Sequence, residues 1–253
     1  MTFHSPLEFH FILLIAAAGL YAGAQNVLAG GGSFITFPAL MLAGLNPLAA
    51  NLTSTIALFP SQITSAISGR DMVGDVGKLR FISLFIVSLI GGVIGAILLL
   101  STSATFFSRL VPWLVLFATV VFAWGSFRKK PLHAVSSLQA WQLILIQGCI
   151  GIYGGYFGGG IGFLMLAALT VAGQQVRTAT ASKNVLAMAM NASAVAIFSF
   201  SSQVDWIAVL TLGVGAVIGS YCGSWLMKWL PEYVLRGFVV FVGAVLTIWM
   251  FVR

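Results

Sequence analysis

The run RTATASKNVLA, beginning at Arg177, carries a lysine within an otherwise uncharged stretch. Lys183 is the one ionisable residue well inside a predicted membrane segment. The five carboxylates (Glu8, Asp71, Asp75, Asp205, Glu232) and the three histidines (His4, His10, His133) fall in loops or at segment ends. A charge at membrane depth is costly and normally faces a cavity or a counter-charge, so it marks a functional site by default. No acidic residue lies well inside a predicted span, since Asp205 stands at the edge of one, which leaves an anionic ligand as the expected counter-charge. The structural alternative is a side chain snorkelling back to the interface. Ser182 and Asn184 flank the lysine, and Asn51, Thr53 and Ser54 stand in the corresponding stretch ANLTSTIALFPSQ from Ala50. Hydroxyls and carboxamides donate hydrogen bonds to oxyanions, although Ser and Thr also bond to their own helix carbonyls. Arg177 reads as an interfacial anchor. Gln25, Asn26, Gln62 and Asn191 are secondary candidates, equally able to bond to a neighbouring helix.

Each of these stretches follows a glycine triplet and a short apolar run: LAGGGSFITFPALMLAG from Leu28 and YFGGGIGFLMLAALTVAG from Tyr156. Glycine is the poorest helix former after proline, so a triplet predicts a break. The runs behind the breaks, 33–45 and 161–173, have 13 residues each. At 1.5 Å per residue they reach only about 20 Å, short of a hydrocarbon core about 30 Å thick. A helix that starts at a break presents unpaired N–H groups and the positive end of its dipole, and both attract anions. Gly31, Gly32, Ser33, Gly159 and Gly160 are therefore predicted to bind an anion with Asn51, Thr53, Ser54, Ser182, Lys183 and Asn184. The alternative is close helix packing, for which Gly151, Gly155 and Gly159 form a small-xxx-small ladder. The triplets are not nucleotide loops, since they lack the P-loop lysine and the G-x-G-x-x-G spacing.

Composition sets the surroundings. The 253 residues are 60% hydrophobic and 7% charged, against roughly 25% charged in a soluble domain. Eight long apolar runs (9–29, 47–68, 79–101, 107–127, 138–157, 179–200, 204–230 and 233–252) join the two short ones. The first ten residues contain no Lys or Arg, so no signal peptide is expected there. The net charge of +7 reads as cytoplasmic loop charge and not as a nucleic-acid surface. Cys149 and Cys222 fall inside predicted spans, where a thiol is expected to act as a small buried hydrophobe. Met188 and Met190 read as packing residues, and no metal or cofactor pattern is visible.

The chain repeats itself. Adding 128 carries Gly23 onto Gly151, Gly30 to Gly32 onto Gly158 to Gly160, Ala39 onto Ala167 and Ser54 onto Ser182. GGVIGA at Gly91 matches GAVIGS at Gly215, and Trp124 with Arg128 matches Trp249 with Arg253. Two halves follow, 1–130 and 131–253. If the short runs count as crossings, each half has five, and the second is inverted relative to the first. Nine cationic residues (Arg70, Lys78, Arg80, Arg128, Lys129, Lys130, Arg177, Lys228, Arg236) then lie inside and two (Arg109, Arg253) outside. Re-entrant short runs would give seven against four, so the positive-inside rule favours the crossing arrangement. The expectation is an all-α integral membrane protein of two inverted repeats, with eight long helices, two half-helices and both termini outside, a plan used by secondary transporters.

The paired GGG breaks, Pro38 after the first, the TS and ASKN continuations and the duplication together resemble the TauE/SafE family of sulfite and organosulfonate exporters, over nearly the whole chain. The resemblance implies transport of a small anionic substrate such as sulfite, sulfoacetate or a related sulfonate across the bacterial cytoplasmic membrane. One departure is Leu166, which stands where the first repeat has Pro38. A membrane enzyme would need a nucleophile with a base, or a metal, at membrane depth. A cation carrier would need carboxylates or histidines there. Neither set is present in the spans. A passive anion channel, or a transporter of another small organic anion, remains the alternative. With no Asp or Glu in the interior of a span, proton coupling through a carboxylate relay is not expected.

Overall fold

The computed structural model describes residues 6–28, 32–77, 79–127, 138–226 and 232–252. They form ten helices: α1 (Pro6–Leu28), α2 (Ser33–Leu42), α3 (Pro47–Gly69), α4 (Phe81–Leu100), α5 (Ala104–Phe127), α6 (Ala140–Tyr156), α7 (Ile161–Val171), α8 (Val176–Phe198), α9 (Trp206–Leu226) and α10 (Glu232–Val252). The eight long and two short elements match the sequence reading. The start of α8 differs, lying at Val176 and not near 179. Its first turn holds Arg177, Thr178 and Thr180, so apolarity does not mark it, and the helix begins after the extended Gln175.

Local chemistry explains several boundaries. Asn46 caps α3 by accepting from Ala49 N at 2.9 Å, with Pro47 next in line. Asp205 caps α9 through Ile207 N and Ala208 N. Both short helices stop at a left-handed glycine, Gly44 (φ +99°) and Gly173 (φ +96°). In each case the following N–H reaches back five residues, Leu45 to Leu40 O and Gln174 to Leu169 O. These are Schellman endings.

The molecule is apolar on the outside and sets a group of polar side chains within its apolar core. Ile82, Ile86, Ile90, Phe106, Trp113 and Leu210 are exposed, while Gln25, Thr36, Asn51, Thr53, Ser54, Gln147, Ser182, Lys183 and Asn191 are buried. An exposed apolar surface this extensive requires lipid, not water, and the chain is a multi-pass membrane protein. Three helices by themselves are long and apolar enough to cross: Phe81–Leu100, Ala104–Trp124 and Val176–Phe198. Others are more polar, as α3 is with its nine Ser, Thr, Asn and Gln residues. Still others are shorter over their described side chains, as α9 and α10 are. The cysteines correct an expectation: Cys149 and Cys222 are exposed on the outer face, because the inner faces of α6 and α9 are taken up by glycine.

Those glycine faces set the packing. Gly19 and Gly23 of α1 lie against Leu212 and Ala216 of α9, and Gly215 and Gly219 lie against Ala16 and Leu20. On α4, a Cβ at Gly91 would come within 2.9 Å of the Gly151 backbone, and Gly155 rests on Gly92. Two members of the ladder read from the sequence, Gly151 and Gly155, therefore bring α6 and α4 to backbone contact, whereas Gly159 lies beyond the helix against Phe157 and Ala118. Both pairs run parallel, since residue numbers rise together along them. By contrast α3 and α8 run antiparallel, with Gln62 beside Asn191 and Gly69 beside Ala181. So do α5 and α10, with Trp113 on Phe251 and Thr119 at Gly243. Exchanging the first five helices for the last five turns α1–α9 into α6–α4, α3–α9 into α8–α4 and α2–α10 into α7–α5, all of them observed contacts. The α3–α5 contact is the main exception among the described residues.

Candidate functional site

The two short helices begin at one cavity. Ser33, the first residue of α2, and Ile161 and Gly162, the first two of α7, line it together with Asn26 from α1, Thr55, Gln62 and Ser65 from α3, and Lys183, Asn184 and Asn191 from α8. Its volume is about 70 Å³, several times the roughly 10–15 Å³ that one water needs. Leu58, Ala187 and Gly158 complete the wall. Lys183 lies two turns inside α8 and is only 6% exposed. It is the one ionisable side chain among the described lining residues, which include no carboxylate. Antiparallel packing of α3 on α8 brings these residues together: 55, 58, 62 and 65 form one stripe of α3, and 183, 184, 187 and 191 face it.

The backbone adds donors. The first bonds of α7 run from Phe163 N and Leu164 N to Gly160 O. The N–H groups of Ile161 and Gly162 have no acceptor among the described residues. Gly158 and Gly160 take the left-handed φ values +80° and +75° that glycine tolerates. Gly32 is built differently, with φ −54°, and its N–H donates to Asn26 Oδ1 at 3.0 Å. A Cβ there would stand 2.8 Å from that oxygen and 2.9 Å from Ala22 O. The matching position to Asn26 in the second half is Gly154, which has no side chain to offer, so the two triplets break the chain by different means.

A family model described as sulfite exporter TauE/SafE matches residues 15–250, a range that takes in both half-helices and the whole cavity. The chain belongs to the TauE/SafE family. It is 31% identical over 221 residues to a protein of a Sinorhizobium species named "Probable membrane transporter protein ORF9", covering 86% of this chain and 84% of that one. It is 25% identical to a "Probable membrane transporter protein" of Haemophilus influenzae, covering 93% and 92%. It is 27% identical to "Probable membrane transporter protein YfcA" of Escherichia coli, covering 96% and 89%. These relatives of the TauE/SafE protein are all described as membrane transporters, and none is described as an enzyme.

Among the residues singled out from sequence, the cavity of this TauE/SafE protein gathers Ser33, Lys183 and Asn184, together with the secondary candidates Asn26, Gln62 and Asn191. The others hold helices together. Asn51 Nδ2 donates to Tyr156 O, the last carbonyl of α6, at 3.1 Å. Thr53 Oγ1 accepts from Asp205 N at 3.2 Å. Ser54 and Thr36 hydroxyls bond at 2.6 Å and pin α2 to α3. Gly159 O accepts from the Tyr153 hydroxyl at 2.9 Å, and Gly160 backs onto Ala118. Ser182 is fully buried and its Oγ has no partner among the described residues. Gly31 lies outside the described residues, as do the 128–130 cations. Thr55, Ser65 and Gly158 went unmarked in the sequence reading. The signal for Thr55 was present, since subtracting 128 from Lys183 lands on it.

Proposed function

We propose that the protein exports small sulfur oxyanions, such as sulfite, sulfoacetate or a related organosulfonate, across the bacterial cytoplasmic membrane. The observation that carries this reading is the convergence of both half-helix starts and the buried Lys183 on one cavity whose described lining is rich in donors and holds no carboxylate. Free N–H groups, hydroxyls, carboxamides and an ammonium all complement an oxyanion. The family description supplies the sulfur chemistry.

The transporter consists of two inverted repeats, 1–130 and 131–253, with the substrate between them. Support comes from pairs that correspond under the repeat: α3 and α8 run antiparallel, as do α5 and α10. Helices related by an axis along the membrane normal would run parallel, whereas an axis in the membrane plane reverses them. The loop charges then put both termini outside. An anion leaving a cell with a negative interior moves downhill by about 2.3 kcal/mol per charge per 100 mV, so uniport suffices.

Proteoliposomes loaded with sulfite, sulfoacetate, taurine or simple carboxylates, with membrane potential and pH gradient set independently, test the reading. Sulfite or sulfonate flux that follows the potential is expected, and counterflow under opposing gradients marks a carrier and not a channel. Flux that ignores the potential and follows the pH gradient refutes uniport, and preference for a cation refutes the anion site.

A further inference from the structure

We infer that Asn26 is an anion-recognising residue of this cavity, a donor with a fixed orientation; the inference rests on the anion-transport reading above. A carboxamide has one acceptor end and one donor end, which density alone rarely distinguishes. Here chemistry decides. The neighbour at 3.0 Å is the backbone N–H of Gly32, which can only donate, so the oxygen must face it and the NH₂ must point elsewhere. That Nδ2 is buried and has no acceptor among the described residues. A buried unmatched donor is destabilising and persists where a ligand supplies the acceptor. Asn26 lines the same cavity as Lys183, Ile161 and Gly162.

The Gln62–Asn191 pair on the same wall behaves differently. Asn191 Nδ2 donates to Gln62 Oε1 at 2.7 Å, and turning both carboxamides over preserves the bond with the roles reversed. Asn26 has no such freedom, because inversion would set its NH₂ against the Gly32 N–H. It therefore offers a donor and not an acceptor, which suits a ligand whose oxygens are all acceptors. Gly32 makes the contact sterically feasible, since any side chain there would displace the carboxamide.

Asn26→Asp tests this. Its carboxylate still accepts from Gly32 N–H, but turns a second acceptor, with negative charge, towards the ligand. Direct binding of sulfite and of methanesulfonate to the purified full-length protein is expected to weaken by about tenfold or more, or about 1.4 kcal/mol. Methanesulfonate keeps its charge on acidification, so recovery of its binding as the introduced carboxyl protonates, with wild type measured in parallel, marks a donor role. Lys183 is the one titratable side chain of the described wild-type lining, and the parallel wild-type measurement carries whatever it contributes to the pH dependence. Wild-type affinity in well-folded Asn26→Asp, with Lys183→Met still defective, overturns the Asn26 assignment alone. Equal loss in Asn26→Asp and Asn26→Ala, with lowered thermal stability and no acid recovery, shows a purely structural cap and also overturns it. A wild-type protein that binds neither probe overturns the anion reading itself.

Discussion

Asn191 donates its Nδ2 hydrogen to Gln62 Oε1 over 2.7 Å, tying α8 to α3 at the wall of the cavity. The repeat offset carries Gln62 onto residue 190, one place from its own partner. The bond thus lies where the two halves face each other. Interhelical hydrogen bonds in membranes average about 0.6 kcal/mol and reach about 1.7. A double-mutant cycle of Gln62→Leu and Asn191→Leu, read by unfolding in detergent, is expected to give a coupling in that range. A coupling of zero would mean that the bond does not join the halves.

Lys183→Met keeps length and removes charge. The side chain is buried at the cavity wall, so anion affinity is expected to fall by at least about tenfold, or about 1.4 kcal/mol, while the fold survives because methionine packs well in irregular apolar space. Calorimetric titration with sulfite on monodisperse protein measures it. Unchanged affinity would remove Lys183 from the site.

The glycines separate into packing and conformational roles. Gly155→Leu and Gly219→Leu place bulk where α6 meets α4 and α9 meets α1, and a severe loss of folded protein is expected. Gly44→Ala meets no atoms within 4 Å, yet its φ of +99° makes alanine strained, so destabilisation of about 1 kcal/mol is expected. Gly237→Ala is both open and free of that backbone demand, and should stabilise α10 by up to about 1 kcal/mol. Thermal scans of the set check the ordering.

The inverted arrangement makes a prediction about sidedness. Ser202 lies exposed in the turn between α8 and α9. With Cys149 and Cys222 first replaced, since both are exposed, Ser202→Cys should react with a membrane-impermeant maleimide added outside intact cells. Reaction only after the cytoplasmic side is opened would defeat the inverted model.

Apolar run length determined the ten helices, because crossing a hydrocarbon layer fixes both length and composition. The glycine triplets determined the two breaks, because backbone entropy and missing side chains act locally. Lys183 stood out for the same reason: one charge in a span needs no neighbour to be conspicuous. The start of α8 was less legible, since its first turn is polar and apolarity cannot mark it. The family resemblance rested on the same local motifs, and the match over 15–250 agrees with it.

Only the tertiary structure decided which polar residues face the cavity. Asn51, Thr53 and Ser54 look from sequence like equals of Lys183 and Asn184, yet each is held by a partner 18 or more positions away: Tyr156 O, Asp205 N and Thr36 Oγ1. A hydroxyl or carboxamide serves a ligand or a neighbouring helix with the same atoms, and the rotation of α3 against its neighbours selects between them. That rotation follows the packing of α3 on α8 and α9 in the other half of the chain, where Gly69 meets Ala181 and Ala57 meets Gly213. The same long-range packing turned both cysteines outward, because the face a helix buries depends on what its distant partner presents.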